Sequence, residues 1–196
     1  MDSRGTIRSM KKIIFVTGNL DKLQTAKDVA GKYGVDILQK DISIAEIQDE
    51  NPRNIAQDKS NKAYEAVKLP VLVSDDTWCI PGLNGFPGPY MHSVNEWFTP
   101  DDFLRLTLPL ENRVVTLTQY LVYTDGRNQK VFKHESNGKL LKEVRGSSEY
   151  PSHTIIALDS DNGLSIAEAH QTLKDRSLRD SSIVWHEFID WFTQQY

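Results

Sequence analysis

The sequence contains a single cysteine, Cys79, among 196 residues. One thiol excludes an intramolecular disulfide and any zinc site built from clustered cysteines, and it fits a reducing, cytoplasmic setting. No sequence pattern near Cys79 supplies a partner histidine, so it reads as core packing rather than as a nucleophile. No apolar run approaches the roughly 18 to 20 residues that a bilayer span requires, so no membrane partner is expected. A positive surplus is missing as well: 23 Lys and Arg stand against 27 Asp and Glu, a formal charge of -4. A general nucleic-acid binder presents a basic face, and that class is set aside. The sequence has no internal repeat and no low-complexity tract. Its five histidines, His92, His134, His153, His170 and His186, show no metal-ligand spacing and read as surface or core residues. The first nine residues have no apolar core of a secretory signal. They read as a polar leader or tag, which leaves 10–196 as one domain.

What is present is an alternation of strand and helix signals. The β-branched and aromatic run Ile13–Val16 is closed by Gly18-Asn19, and Leu20–Tyr33 follows with helical composition. Gly34 ends that helix, and Val35–Leu38 is a second strand. Asn51-Pro52 starts a helix that reaches about Val67, where Leu69-Pro70 stops it. Val71-Leu72-Val73 is the third strand. Met91–Trp97 and Asp101–Leu106 are short helices. An antiparallel block follows: Val114–Tyr123, a turn at Asp125–Asn128, Lys130–Glu135, a hairpin signal at Asn137-Gly138, and Leu140–Val144. Ile155–Leu158 is a further strand, Asp159–Gly163 a turn, and helices fall near Ser165–Lys174 and Ser181–Gln194. The last carries Val184, Phe188, Trp191 and Phe192 on one face. Helix-flanked parallel strands with an antiparallel block make an α/β protein on a mixed sheet.

Two stretches could carry chemistry. Thr17-Gly18-Asn19-Leu20-Asp21-Lys22 joins a strand to a helix N-terminus, where free N–H groups and the helix dipole favour an anion such as phosphate. The same residues also suit an ordinary capped turn, so the pattern needs a partner. Asp75-Asp76, placed where the third strand ends, supplies one. Paired carboxylates are oxygen ligands suited to Mg2+, which bridges protein carboxylates to substrate phosphates. The alternative is a turn that the two acids merely cap. Glu46 could be a third acidic ligand or a solvated side chain.

Together, Thr17-Gly18-Asn19-x-x-Lys22, the acid in Ala45-Glu46-Ile47-Gln48, Asn61-Lys62-Ala63, Ser74-Asp75-Asp76-Thr77 and Gly85-Phe86-Pro87-Gly88-Pro89-Tyr90 resemble the inosine triphosphate pyrophosphatase family. These are house-cleaning pyrophosphatases of non-canonical purine nucleoside triphosphates. The resemblance runs over about residues 11 to 98, half of the chain. It implies an elongated mixed α/β fold with a cleft between two lobes, usually a homodimer. It also implies Mg2+-dependent cleavage between the α- and β-phosphates to a monophosphate and pyrophosphate. By that resemblance Thr17, Gly18, Asn19, Lys22 and Lys62 hold the phosphates, Glu46 and Asp75 position the metal with Asp76 beside them, and Asp76 orients or deprotonates the attacking water. Tyr90–Phe98 is a candidate dimer contact.

The sequence departs from the family pattern at three places. Thr25 stands where the family commonly has Glu. The segment Glu149–Ile156 replaces an aromatic-Gly-aromatic-Asp-Pro run, with His153 near the position of its Asp. Ser177-Leu178-Arg179 stands for a Ser-His-Arg motif. Tyr150 could still stack on a base, His153 is the unusual replacement, and Lys174 or Arg179 could contact a base. For Tyr150 and His153, packing or solvent exposure is the plainer reading. The phosphate half is largely kept and the base half rewritten, which alters which base is accepted. A catalytically silent nucleotide binder and a phosphatase of another phosphorylated metabolite remain alternatives.

Overall fold

A computed structural model describes residues 11–195. The polar leader expected at residues 1–9 lies outside them. Strand β1 (Lys11–Val16) divides its side chains as a strand must, with Ile13 and Phe15 in one core cluster and Ile14 and Val16 in another. Helix α1 (Leu20–Lys32) starts where the Asn19 side chain accepts from the Lys22 backbone N–H, and it buries Leu23, Ala26, Val29 and Ala30. Strand β2 (Val35–Lys40) lies parallel to β1. Helix α2 (Pro52–Val67) has the Asn51 cap and first-turn proline that the sequence signals.

Strand β3 (Val71–Cys79) is the main departure from expectation, because it runs on through Asp75 and Asp76 instead of ending before them. Acidic residues are poor strand formers, but the backbone pairs with β5 (Val114–Thr124) over its whole length, from Val71 opposite Thr124 to Cys79 opposite Thr116. Cys79 itself is exposed, not packed in the core, because the strand's alternation puts buried Trp78 inward and Cys79 outward. The glycine and proline loop folds back so that β4 (Pro87–Gly88) pairs with Trp78 and Cys79. Its return requires left-handed backbone at Gly85 (φ 93°) and Gly88 (φ 59°), which glycine adopts without strain. Helices α3 (Met91–Trp97) and α4 (Pro100–Thr107) follow.

The antiparallel block differs in its last part. Strand β6 (Gln129–Leu140) passes straight through Asn137-Gly138, so no hairpin forms there. A Cβ on residue 138 would stand 2.4 Å from the Ala157 carbonyl oxygen. The glycine therefore serves the close approach of β7 (Ile156–Leu158), and β7 takes the place beside β6 that Leu140–Val144 was expected to fill. Helices α5 (Ile166–Thr172) and α6 (Ile183–Gln195) complete the described chain.

Among the described residues the sheet has seven strands in the order β2-β1-β3-β5-β6-β7, with β4 added to β3. The first three are parallel and the rest antiparallel. One face packs on α1 and α6 through Phe15, Leu72, Leu121, Phe188 and Trp185. The opposite face packs on α2 through Val71, Val73, Ala56 and Ala63. A separate cluster around Trp78, Ile80, Phe103 and Ile155 fills the far end. The curled mixed sheet thus carries two lobes with a cleft between them. The aromatic stripe of α6 is core, with Val184, Phe188 and Phe192 buried and Trp191 partly buried.

Candidate active site

The cleft follows from a gap along one edge of β3. On that side β3 pairs with β1 only at Val71 and Leu72, and with β4 only at Trp78 and Cys79. Between these contacts Ser74, Asp75, Asp76 and Thr77 have no neighbouring strand on that side among the described residues. A cavity of about 630 Å³ occupies the space, walled by Thr17, Asn19, Lys22, Glu46, Asp75 and Asp76 among others. It lies past the carboxyl end of β1, where ligands sit in open α/β sheets.

Adjacent residues of a strand face opposite ways, and the two acids use this. Val71, Val73 and Asp75 share the face covered by α2, while Leu72 and Asp76 share the face covered by α1. Asp76 meets Lys22 of α1 at 3.2 Å. Desolvation lowers the affinity of Lys22 for its proton, but the carboxylates of Asp76 and Asp75 outweigh it, and the ammonium is held above its ordinary value. The Asp75 carboxylate has no hydrogen-bond or ion-pair partner among the described residues. Burial pushes its carboxyl up to about 6, against the pull of Lys22 and Lys59. Such a carboxylate, with Glu46 on the same wall, makes a hard-oxygen donor set that fits Mg2+.

Lys59, which the sequence reading missed, lies on this wall and binds Glu46 at 2.6 Å. Lys62, expected to hold phosphate, is not on the cavity wall: its ammonium donates to the Ala45 carbonyl at 2.7 Å and pairs with Asp58 at 2.7 Å. In the glycine turn, Asn19 N–H donates to Thr17 Oγ1, and the Asn19 amide donates to the Tyr150 hydroxyl at 3.1 Å. The N–H groups of Leu20 and Asp21, first in α1, find no acceptor within the helix.

A smaller chamber of about 100 Å³ opens on the α1 face behind Asp76 and is lined by Asp21, Thr25, Gln119, His153, His170 and Arg179 among others. Gln119 is buried, and its Oε1 has no hydrogen-bond partner among the described residues. His153 borders both cavities. Desolvation, then the neighbouring His170, hold its imidazole neutral, down to about 3. Asp21 is held well below the carboxylate range by hydrogen bonds from His170 and Arg176, desolvation opposing.

The other base-side candidates scatter. Lys174 is exposed and lines neither cavity. Arg179 reaches the smaller chamber, but its Nε donates to Asp161 at 3.0 Å and its Nη2 to the same carboxylate, both residues buried. That pair turns the Asp159–Gly163 turn into an anchor, which no local sequence signal announced. Leu178 is 80% exposed, so the apolar side chain in the motif's imidazole position points to solvent.

Residues 13–181 match the family model described as the Ham1 family. A dITP/XTP pyrophosphatase of Methanosarcina acetivorans is 29% identical over 95% of this chain and 100% of that protein. A dITP/XTP pyrophosphatase of Methanopyrus kandleri is 31% identical over 71% of this chain and 74% of its own length. A solved HAM1 protein from Coxiella burnetii superposes with a TM-score of 0.75 at 16% identity, covering 94% of this chain and 100% of that one.

Proposed function

Since the chain belongs to the Ham1 family, we propose that it is a house-cleaning nucleoside triphosphate pyrophosphatase. It adds water across the α–β anhydride and releases a monophosphate and pyrophosphate. The observation that supports this most is the pair of acids on opposite faces of the open β3 edge with two lysines beside them: Lys22 pairs with Asp76 and also acts on Asp75, and Lys59 pairs with Glu46 on the wall shared with Asp75.

In this reading Glu46 and Asp75 hold Mg2+, which neutralises polyphosphate charge when bound. Thr17, Gly18 and Asn19, with the free N–H groups at the start of α1, take phosphate oxygens. Lys22 and Lys59 add fixed positive charge. Asp76 orients the attacking water and accepts its proton. Tyr150, its hydroxyl held by Asn19, offers a ring to the base, and His153 offers a neutral imidazole. The protein works in the cytoplasm as a homodimer joined through Tyr90–Phe98, where Tyr90 is 48% and Trp97 73% exposed. No helix among the described residues is long and apolar enough to cross a membrane.

The test is incubation with Mg2+ and a panel of canonical, deaminated and modified triphosphates, with pyrophosphate and monophosphate measured. Turnover of at least one nucleotide is expected, with Asp76→Asn slower by about 100-fold or more. Inorganic phosphate as the product would point to a phosphatase instead. Saturable nucleotide binding without turnover would mean a silent binder, a reading favoured by Thr25 and by the outward Leu178.

A further inference from the structure

Three potential ligands converge on the smaller chamber from separate elements: Asp21 from the first turn of α1, His153 from the turn before β7, and His170 from α5. One nitrogen of each imidazole and one oxygen of the carboxylate all lie within 4.8 Å of one another, each residue half-buried. His170 Nδ1 stands 3.4 Å from Asp21 Oδ2, and the two imidazole rings are 5.5 Å apart at 87°. Ligand atoms about 2.0 to 2.1 Å from a tetrahedral ion sit roughly 3.4 Å apart, so small side-chain rotations would close the set.

We propose that Asp21, His153 and His170 form a second cation site, for a first-row transition ion of the Zn2+ type, on the wall of the smaller chamber. The donor set decides the ion. Two imidazoles and one carboxylate suit Zn2+ or Co2+, whereas Mg2+ takes oxygen ligands and keeps much of its water. The site is separate from Glu46 and Asp75, which lie toward α2. Arg176 does not compete for the ligand atom: its Nη1 donates to Asp21 Oδ1 at 2.7 Å and leaves Oδ2 free to face the histidines. Such outer hydrogen bonds hold ligating carboxylates in place. Three protein ligands leave a fourth position facing the chamber, open to water or to a nitrogen or oxygen of a molecule in the cleft.

The experiment is a titration of untagged, chelator-treated full-length protein with Co2+ in excess Mg2+, read by visible absorption and by calorimetry. The expected result is one Co2+ per chain with a ligand-field band that Zn2+ abolishes and Mg2+ does not. His153→Gln and His170→Gln should each weaken binding by about tenfold or more, while Asp75→Asn should leave it unchanged. Absence of Mg2+-resistant Co2+ binding by the wild-type protein overturns the proposal, and this outcome needs no variant to fold. Equal binding by the two histidine variants also overturns it. Both results are read from Co2+ binding without nucleotide, so they stand apart from the measurement of pyrophosphate release.

Discussion

Asp75 and Asp76 are consecutive residues that both act on Lys22, but only Asp76 pairs with it directly, and Asp75 sets a pH dependence. Its carboxyl is raised from 3.8 to about 6 by burial, so the native protein holds a proton that the unfolded chain has released. The stability from this group is complete below about pH 4 and is lost as pH rises through about 6. Without divalent cations, the advantage of wild type over Asp75→Asn should fall by about 2 kcal/mol between roughly pH 4.5 and 7.5. Denaturant unfolding at the two pH values measures this. His153 acts with the opposite sign, losing stability as pH falls below about 6.5, but both proteins carry it and the comparison cancels it. Saturating Mg2+ should stabilise wild type at the higher pH and the Asn variant less. Parallel profiles for the two proteins would remove Asp75 from the buried, unpaired state described.

At the scale of elements, the phase of α2 separates Lys62, which the family resemblance pointed to, from Lys59, which the structure places on the cavity wall. Counting about 100° per residue, Lys59 falls roughly 50° from the middle of the buried stripe of Ile55, Ala56, Ser60, Ala63 and Val67, and Lys62 roughly 110°. Lys59→Met should raise KM for the triphosphate by about tenfold with little change in KM for Lys62→Met, read from initial rates of pyrophosphate release. Equal effects would mean that Lys62 swings into the cleft. That phase signal was present in the sequence, as were α1, α2, α3 and the aromatic face of α6, because caps and 3.6-residue periodicity are local properties. The extension of β3 and the straight run of β6 were not legible. Both depend on partners distant in sequence: β5 supports two acids that disfavour a strand, and β7 requires the glycine that otherwise signals a turn. The same limit hid the Asp21, His153 and His170 cluster, whose members become neighbours only when α1, α5 and the turn before β7 meet. The turn from Thr17 to Lys22 was visible because it is contiguous.

For the molecule as a whole, both lobes share one sheet, and the large exposed aromatics Tyr90 and Trp97 stand at the two ends of α3. Light scattering should give twice the mass of one chain. Trp97→Glu should shift it to a single chain while the thermal transition is kept, since this side chain is 73% exposed and fills no core. A wild-type monomer would eliminate this contact surface. The gap in β3 has a consequence for how the site can change over time. Asp75 pairs in register with Tyr120 and Asp76 with Gln119, and a slip of one residue turns every side chain to the other face. Deleting one residue between Leu72 and Ser74 would therefore keep both acids and yet present Asp76 to Glu46 and Lys59, with Thr77 left opposite Lys22. Insertions and deletions in this strand act as exchanges of role, so the length of the segment is under as tight a constraint as its charges.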